Sequence, residues 1–292
     1  MFELIKTFQA HSNYVLGLAI TPDNSILIST GMDNLVKYWK LPSYDLFKTF
    51  EEHSKSVNSL SIAPDGLTFA TSSTDTTAKV WDFDSGNVLH TLKGHKKTVI
   101  AAEISPDSKF IATGSYDGKI KLWDANNGTE LLTIKAFERN VASVSFSPDG
   151  TTLIGGGLGE TFSFWQIPSG ELVKRVSEHK IVVSGARYTP DGKFFVSIGS
   201  ELLKIWNPKN WELLNTVHFD TKYPRPHAIS PDSKIIVIGF DYKAQIWNIK
   251  EGELLDTIEV KPKGVDSLCF SPDGKSLLMG AADKKIRIWK LN

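Results

Sequence analysis

Residues Ser105–Asp124 read SPDSKFIATGSYDGKIKLWD. Two turn signals, Pro106-Asp107-Ser108 and Tyr116-Asp117-Gly118, bracket apolar-alternating runs near Phe110–Gly114 and Lys119–Trp123, which predicts one hairpin feeding the next. The pattern recurs. Pro-Asp pairs begin at Pro22, Pro64, Pro106, Pro148, Pro190, Pro231 and Pro272, and a Trp follows each after 16 or 17 residues. Those residues, Trp39, Trp81, Trp123, Trp165, Trp206, Trp247 and Trp289, stand 41 or 42 apart, so seven units fill most of the 292 residues. A period of this size overrides any domain count taken from length, and 1–292 reads as a single domain.

Period-2 alternation dominates, and helical spacing is nowhere sustained. Before each of those Trp residues, pairs such as Val36/Tyr38, Ile120/Leu122 and Ile286/Ile288 occupy one face of a strand. Lys37, Lys121 and Arg287 alternate with them, and the Trp lands on that second face, so the strand must be covered on both sides. Each unit holds four strand candidates, in the third copy Val99–Ile104, Phe110–Gly114, Lys119–Trp123 and Glu130–Lys135. The fourth strand recurs six times, as in ELLTIK (130–135) and ELLDTI (253–258), but only Lys290-Leu291-Asn292 follow Trp289. ELIKTF (3–8) matches the fourth-strand pattern at the other end of the chain. The prediction is therefore an all-β fold of seven four-stranded antiparallel blades, with strand 2–8 completing the blade built by 262–292 and closing the ring.

Lys plus Arg and Asp plus Glu number 33 each, so no net basic charge favours a phosphate backbone. One cysteine, Cys269, excludes a disulfide framework and suits a reducing, cytoplasmic setting. No stretch approaches the ~20 apolar residues of a membrane helix, and the opening MFELIKTFQAH lacks the apolar core of a signal peptide.

The repeat resembles the WD-repeat β-propeller family over essentially the whole chain. Trp-Asp stands at Trp81-Asp82 and Trp123-Asp124, and Gly-His at Gly94-His95; the other copies depart from those dipeptides. The resemblance implies a network in each blade of His before the first strand, Ser or Thr on the second, Asp in the next turn and Trp on the third. Carried over by position, the network is His11, Ser29, Asp33 and Trp39 in the first copy, His53, Thr71, Asp75 and Trp81 in the second, and His95, Thr113, Asp117 and Trp123 in the third. An indole N–H needs an acceptor, hydroxyl and imidazole relay, and a carboxylate ends the chain. These sets look like hydrolase triads, but repetition argues for a structural role, since one catalytic site would suffice. At the His position the later copies have Phe137, His179, Asp220 and Lys261, and at the hydroxyl position Gly155, Ser197, Ile238 and Met279, so they lean more on apolar packing. Ile154–Gly159 is Gly-rich but lacks the Lys and helix of a phosphate loop, and close strand packing is the better account.

The resemblance also implies partner docking on the face carrying the loops before the first strand and between the second and third, around a central channel. The residues assigned there are Tyr14, Leu16, Met32, Asn58, Ile100, Tyr116, Leu158, Val182, Tyr223, Arg225 and Phe240. Aromatic, large apolar and Arg groups on one rim are the types that interface hot spots favour. The leading expectation is a non-catalytic scaffold for a protein or peptide, with no cofactor, no metal and no membrane, nucleic-acid or small-molecule partner. Two alternatives stand beside it. A propeller enzyme or metal-dependent hydrolase would gather ligands in the channel, where Asn58, Asn140 and Asp266 are the nearest candidates. A nucleic-acid-associated subunit would need a basic stripe beyond the local cluster Lys93, Lys96 and Lys97.

Overall fold

Alternating apolar residues between tight turns make each repeat one antiparallel sheet. In the third repeat the strands are Val99–Ile104, Phe110–Ser115, Lys119–Asp124 and Glu130–Lys135, hydrogen-bonded in that order. The computed structural model of the chain describes residues 2–219, 224, 226–261 and 264–291. It is a seven-bladed propeller of four-stranded blades, and the chain divides into two compact units.

The first unit, residues 1–58 and 223–292, holds the first, sixth and seventh blades. The seventh combines Val265–Phe270, Ser276–Ala281 and Lys285–Leu291 with the N-terminal strand Phe2–Gln9. Leu4 pairs with Trp289, Thr7 with Arg287 and Phe8 with Ile286, so the first strand of the chain completes its last blade. Ile286, Ile288 and Leu278 of that blade pack with Val15, Leu27 and Trp39 of the first. The Phe8 ring lies 4.8 Å from that of Trp39.

The second unit, residues 59–222, holds the second to fifth blades. Trp123 joins Val80, Leu92 and Ile104 in one core cluster, Trp165 joins Ile120, Leu122 and Val141 in the next, and Trp206 joins Phe162, Phe164 and Val183 in a third. Each Trp thus fills the space between its own sheet and the preceding one.

A first strand leaves one edge without a strand partner, and side chains of the neighbouring blade occupy it. Ser59 Oγ accepts from the Ala102 N–H and Ser61 Oγ from that of Ile104, each at 3.1 Å. Glu103 Oε1 accepts from the Phe146 N–H at 3.0 Å.

Six of the seven Pro-Asp turns have a hydroxyl partner, the exception being the second, where Ala63 stands at that position. Thr21, Ser105, Ser147, Thr189, Ser230 and Ser271 donate to the Asp two residues on, over 2.6–2.8 Å. Such an Asx-type bond fixes the reversal between first and second strands. The residue after each Asp has positive φ, tolerated by Ser108 at 58° where four of the other copies carry Gly.

Candidate functional site

In the first blade the polar residues form one continuous chain. Trp39 Nε1 donates to Ser29 Oγ at 2.8 Å, His11 Nε2 lies 2.8 Å from the same oxygen, and His11 Nδ1 lies 2.8 Å from Asp33 Oδ1. A carboxylate at Nδ1 assigns the proton there, so the Ser29 hydroxyl donates to Nε2 while accepting from the indole. Burial opposes ionisation of Asp33, but the hydrogen bond and electrostatic attraction of the His11 N–H and the N–H groups of Ser12 and Leu35 outweigh it and draw its pKa down to about 2. The third blade repeats the geometry. Trp123 Nε1 donates to Thr113 Oγ1 at 2.9 Å, His95 Nε2 lies 2.8 Å from that oxygen, and His95 Nδ1 lies 3.1 Å from Asp117 Oδ2. In the second blade Trp81 Nε1 donates to Thr71 Oγ1 at 2.8 Å, His53 is buried, and the Asp75 carboxylate receives the Thr77 N–H.

Geometry alone would make these serviceable triads, but access forbids it. Ser29, Thr71 and Thr113 are fully buried, and each hydroxyl is already engaged by an indole. An attacking oxygen must reach a substrate carbonyl, and these cannot.

The later blades replace the network in different ways. In the fifth, His179 Nε2 and Trp206 Nε1 meet Ser197 Oγ at 2.8 and 2.9 Å, without a carboxylate at Nδ1. In the fourth, Phe137 meets the Trp165 indole edge-on at 6.2 Å. A side chain at Gly156 would strike Val183, and one at Gly157 would strike the Asn140 carbonyl, so close packing requires the glycines there. The N–H groups of Leu158 and Gly159 are taken by the Asn140 and Ile181 carbonyls, leaving neither for a phosphate. In the seventh, the Asp283 carboxylate pairs with Arg287 instead of a histidine, and Met279 is fully buried. Asp220 lies outside the described residues.

The rim residues fall into a common arrangement within each blade. In the first unit the Met32 N–H donates to the Tyr14 carbonyl at 2.9 Å. In the second, Tyr116 donates to Thr98 at 3.0 Å and Leu158 to Asn140 at 3.2 Å. The position before the first strand is thereby joined to the turn between second and third strands. Leu16 and Ile100 sit where the first strand shifts register, between Val15 and Gly17 and between Val99 and Ala101. Such a bulge leaves one residue out of the ladder and re-aims its side chain. Sequence reasoning missed the bulges; the Gly17 and Ala101 that follow the extra residue carry little signal of them.

Met32, Tyr116 and Leu158 are exposed by about two-fifths, at 40%, 39% and 39%. Tyr14, Leu16, Asn58, Ile100 and Val182 are half-buried, and Val182 makes an isolated bridge to Leu158. Phe240 requires a correction. It is 1% exposed, its backbone is held by Lys243 and Val265, and the Lys243 ammonium lies 5.9 Å from its ring, so it belongs to the interior of its blade. An aromatic ring preceding a turn Asp points outward in Tyr116 and inward here. Tyr223 and Arg225 lie outside the described residues.

Among the described residues no group of three or more His, Cys, Asp or Glu is placed to hold a metal. No helix of the described residues is long and apolar enough to cross a membrane. Burial pushes the Cys269 thiol up to about 12, which suppresses thiolate chemistry.

A search among curated proteins gave no match. A comparison with protein families matches the WD domain, G-beta repeat, at residues 2–40, 44–82, 86–124, 128–166 and 252–290. Each matched segment begins on or just before a fourth strand and ends on or just after the next Trp-bearing strand. With two-thirds of the chain matched and four-stranded blades throughout, this protein belongs to the WD40, G-beta repeat family.

Proposed function

We propose that the chain is a non-catalytic scaffold that binds a protein or peptide partner on the loop face bearing Tyr14, Leu16, Met32, Asn58, Ile100, Tyr116, Leu158 and Val182. WD40 propellers commonly serve as protein-interaction scaffolds, which gives the class of function. The observation that carries the reading is Tyr116. Its backbone is pinned to Thr98, beside the bulged Ile100, while the residue is 39% exposed. A rigidly presented aromatic ring, with Leu158 exposed on the next blade, is the kind of anchor that dominates binding energy. The same reading takes 1–292 as one propeller domain working in the cytoplasm, a setting that the single cysteine suits.

A photo-crosslinking residue in place of the exposed Lys97, next to Thr98, tests this, with partners identified by mass spectrometry and compared between the chain with Tyr116 and the Tyr116→Glu variant. Loss of capture with an unchanged melting temperature supports the reading. Capture indifferent to charges at Tyr116, Tyr14 and Met32 refutes it.

A further inference from the structure

A cleft of about 610 Å³ opens in the second unit, between the loops that precede the first strands of the fourth and fifth blades. That volume lies within the roughly 300–1,000 Å³ of ligand sites. Three cations line it, Arg139, Arg175 and Lys180, against one carboxylate, Glu138. In a chain of zero net charge this is a local concentration that composition conceals.

The three cations are held differently. Arg175 Nε donates to Ser163 Oγ at 3.2 Å and Nη2 to the Ala136 carbonyl at 3.3 Å, which fixes the guanidinium and leaves three of its five donors. The side chains of Arg139 and Lys180 are exposed, and among the described residues neither has an ion-pair or hydrogen-bond partner. Elsewhere in this unit, two lysines of the Trp-bearing strands have carboxylates, Lys121 with Glu130 at 2.7 Å and Lys204 with Glu178 at 3.1 Å. The cleft therefore holds one preorganised cation and two uncompensated ones.

Apart from Thr161, the remaining lining side chains are apolar. Leu158 and Ile181 are 39% and 54% exposed, and the Gly159 N–H bonded to the Ile181 carbonyl at 3.0 Å ties their two loops together. We infer that this cleft binds an acidic peptide segment, its carboxylates meeting Arg139, Arg175 and Lys180 and an apolar side chain resting on Leu158 and Ile181. A nucleic acid would ask for a continued basic track and stacking rings. The cleft offers one aromatic, Phe137, already engaged edge-on by Trp165. The inference rests on the scaffold reading and adds the partner's chemistry to it.

The test is fluorescence anisotropy with a labelled acidic peptide, Glu-Leu-Glu-Glu-Leu-Glu, against the full chain. Saturable binding should weaken at least tenfold in the Arg139→Glu/Lys180→Glu variant, and also in high salt, with the melting temperature unchanged. The same peptide with Lys in place of Glu should not bind. Absence of saturable binding, or equal affinity in the double variant, overturns the inference. Tighter retention of labelled oligouridylate than of the peptide overturns it in favour of nucleic acid. The Tyr116→Glu variant separates this from the rim reading, because Tyr116 does not line the cleft. Peptide affinity kept in that variant, with crosslinked partners unaffected by it, would fail the rim and leave the cleft standing.

Discussion

His179 Nε2 stands 2.8 Å from Ser197 Oγ, the same separation as His11 from Ser29 and His95 from Thr113, yet its Nδ1 meets no carboxylate. Burial, with the Lys204 ammonium adding to it and Glu178 opposing, holds the His179 pKa down to about 4. The unfolded chain titrates near the ordinary 6.5, so between pH 6.5 and 4 it takes up a proton that the fold refuses. Stability contributed by neutral His179 is full above pH 6.5, falls through that window and is lost by pH 4, on the order of 3 kcal/mol. Urea denaturation of wild type and His179→Gln at pH 7.5 and 4.5 measures it. The wild type should lose more stability than the variant on acidification, and equal losses would show that His179 does not titrate this way.

Glu103 fastens the third blade to the fourth and fifth. It accepts from the Phe146 N–H at 3.0 Å and the Ser145 hydroxyl at 3.1 Å, and the Arg187 guanidinium lies 3.4 Å away. Burial raises its pKa, and Arg187 and these two donors counter it without cancelling it. Glu103→Leu leaves the Phe146 N–H without an acceptor and should cost about 1–3 kcal/mol. Glu103→Gln keeps an acceptor and should cost less. Hydrogen exchange at the Phe146 amide is the direct check, with acceleration expected in the Leu variant alone.

Seven Trp residues at a fixed period made the blades legible, and alternation placed strands such as Val99–Ile104 and Glu130–Lys135 at their observed ends. The closing strand was legible because ELIKTF stood alone where a fourth strand had no blade. What remained hidden depends on contacts between repeats. Nothing in EISPD predicts that Glu103 caps a backbone N–H 43 residues on. The cleft joins Arg139 to Arg175 and Lys180 from a separate segment of the chain, so no single charge run announces it. Phe240 was misplaced because local pattern cannot say which side of a turn a ring will take.

Trp123 tests whether the network or the packing dominates a blade. Its side chain is 2% exposed, clustered with Val80, Leu92 and Ile104, and bonded through Nε1 to Thr113. Trp123→Ala removes both contributions and should cost about 3–5 kcal/mol. Thr113→Val keeps the shape but leaves the indole N–H and the His95 Nε2 without their partner, for about 1–3 kcal/mol. Equilibrium unfolding of both variants decides it. A Thr113→Val cost equal to that of Trp123→Ala would show that the polar chain stabilises the blade more than the packing does.

Removing Met1–Gln9 should damage the fold more than nine surface residues ordinarily would. The deletion spares Ala10, whose carbonyl accepts from Lys37 Nζ at 2.7 Å, and the His11 network beyond it. What it takes is the partner of Lys285–Leu291, together with the Phe8 ring that packs on Trp39. The exposed edge then presents unpaired N–H and C=O groups beside Ile286 and Ile288, both fully buried in the intact chain. The truncated protein should unfold over a broader denaturant range, and light scattering should show concentration-dependent aggregation. Adding back a synthetic peptide of residues 2–9 should narrow the transition, because the only missing part is the strand itself. A truncated chain that unfolds as sharply as the full one, and stays monomeric, would show that the seventh blade holds its edge without the strand.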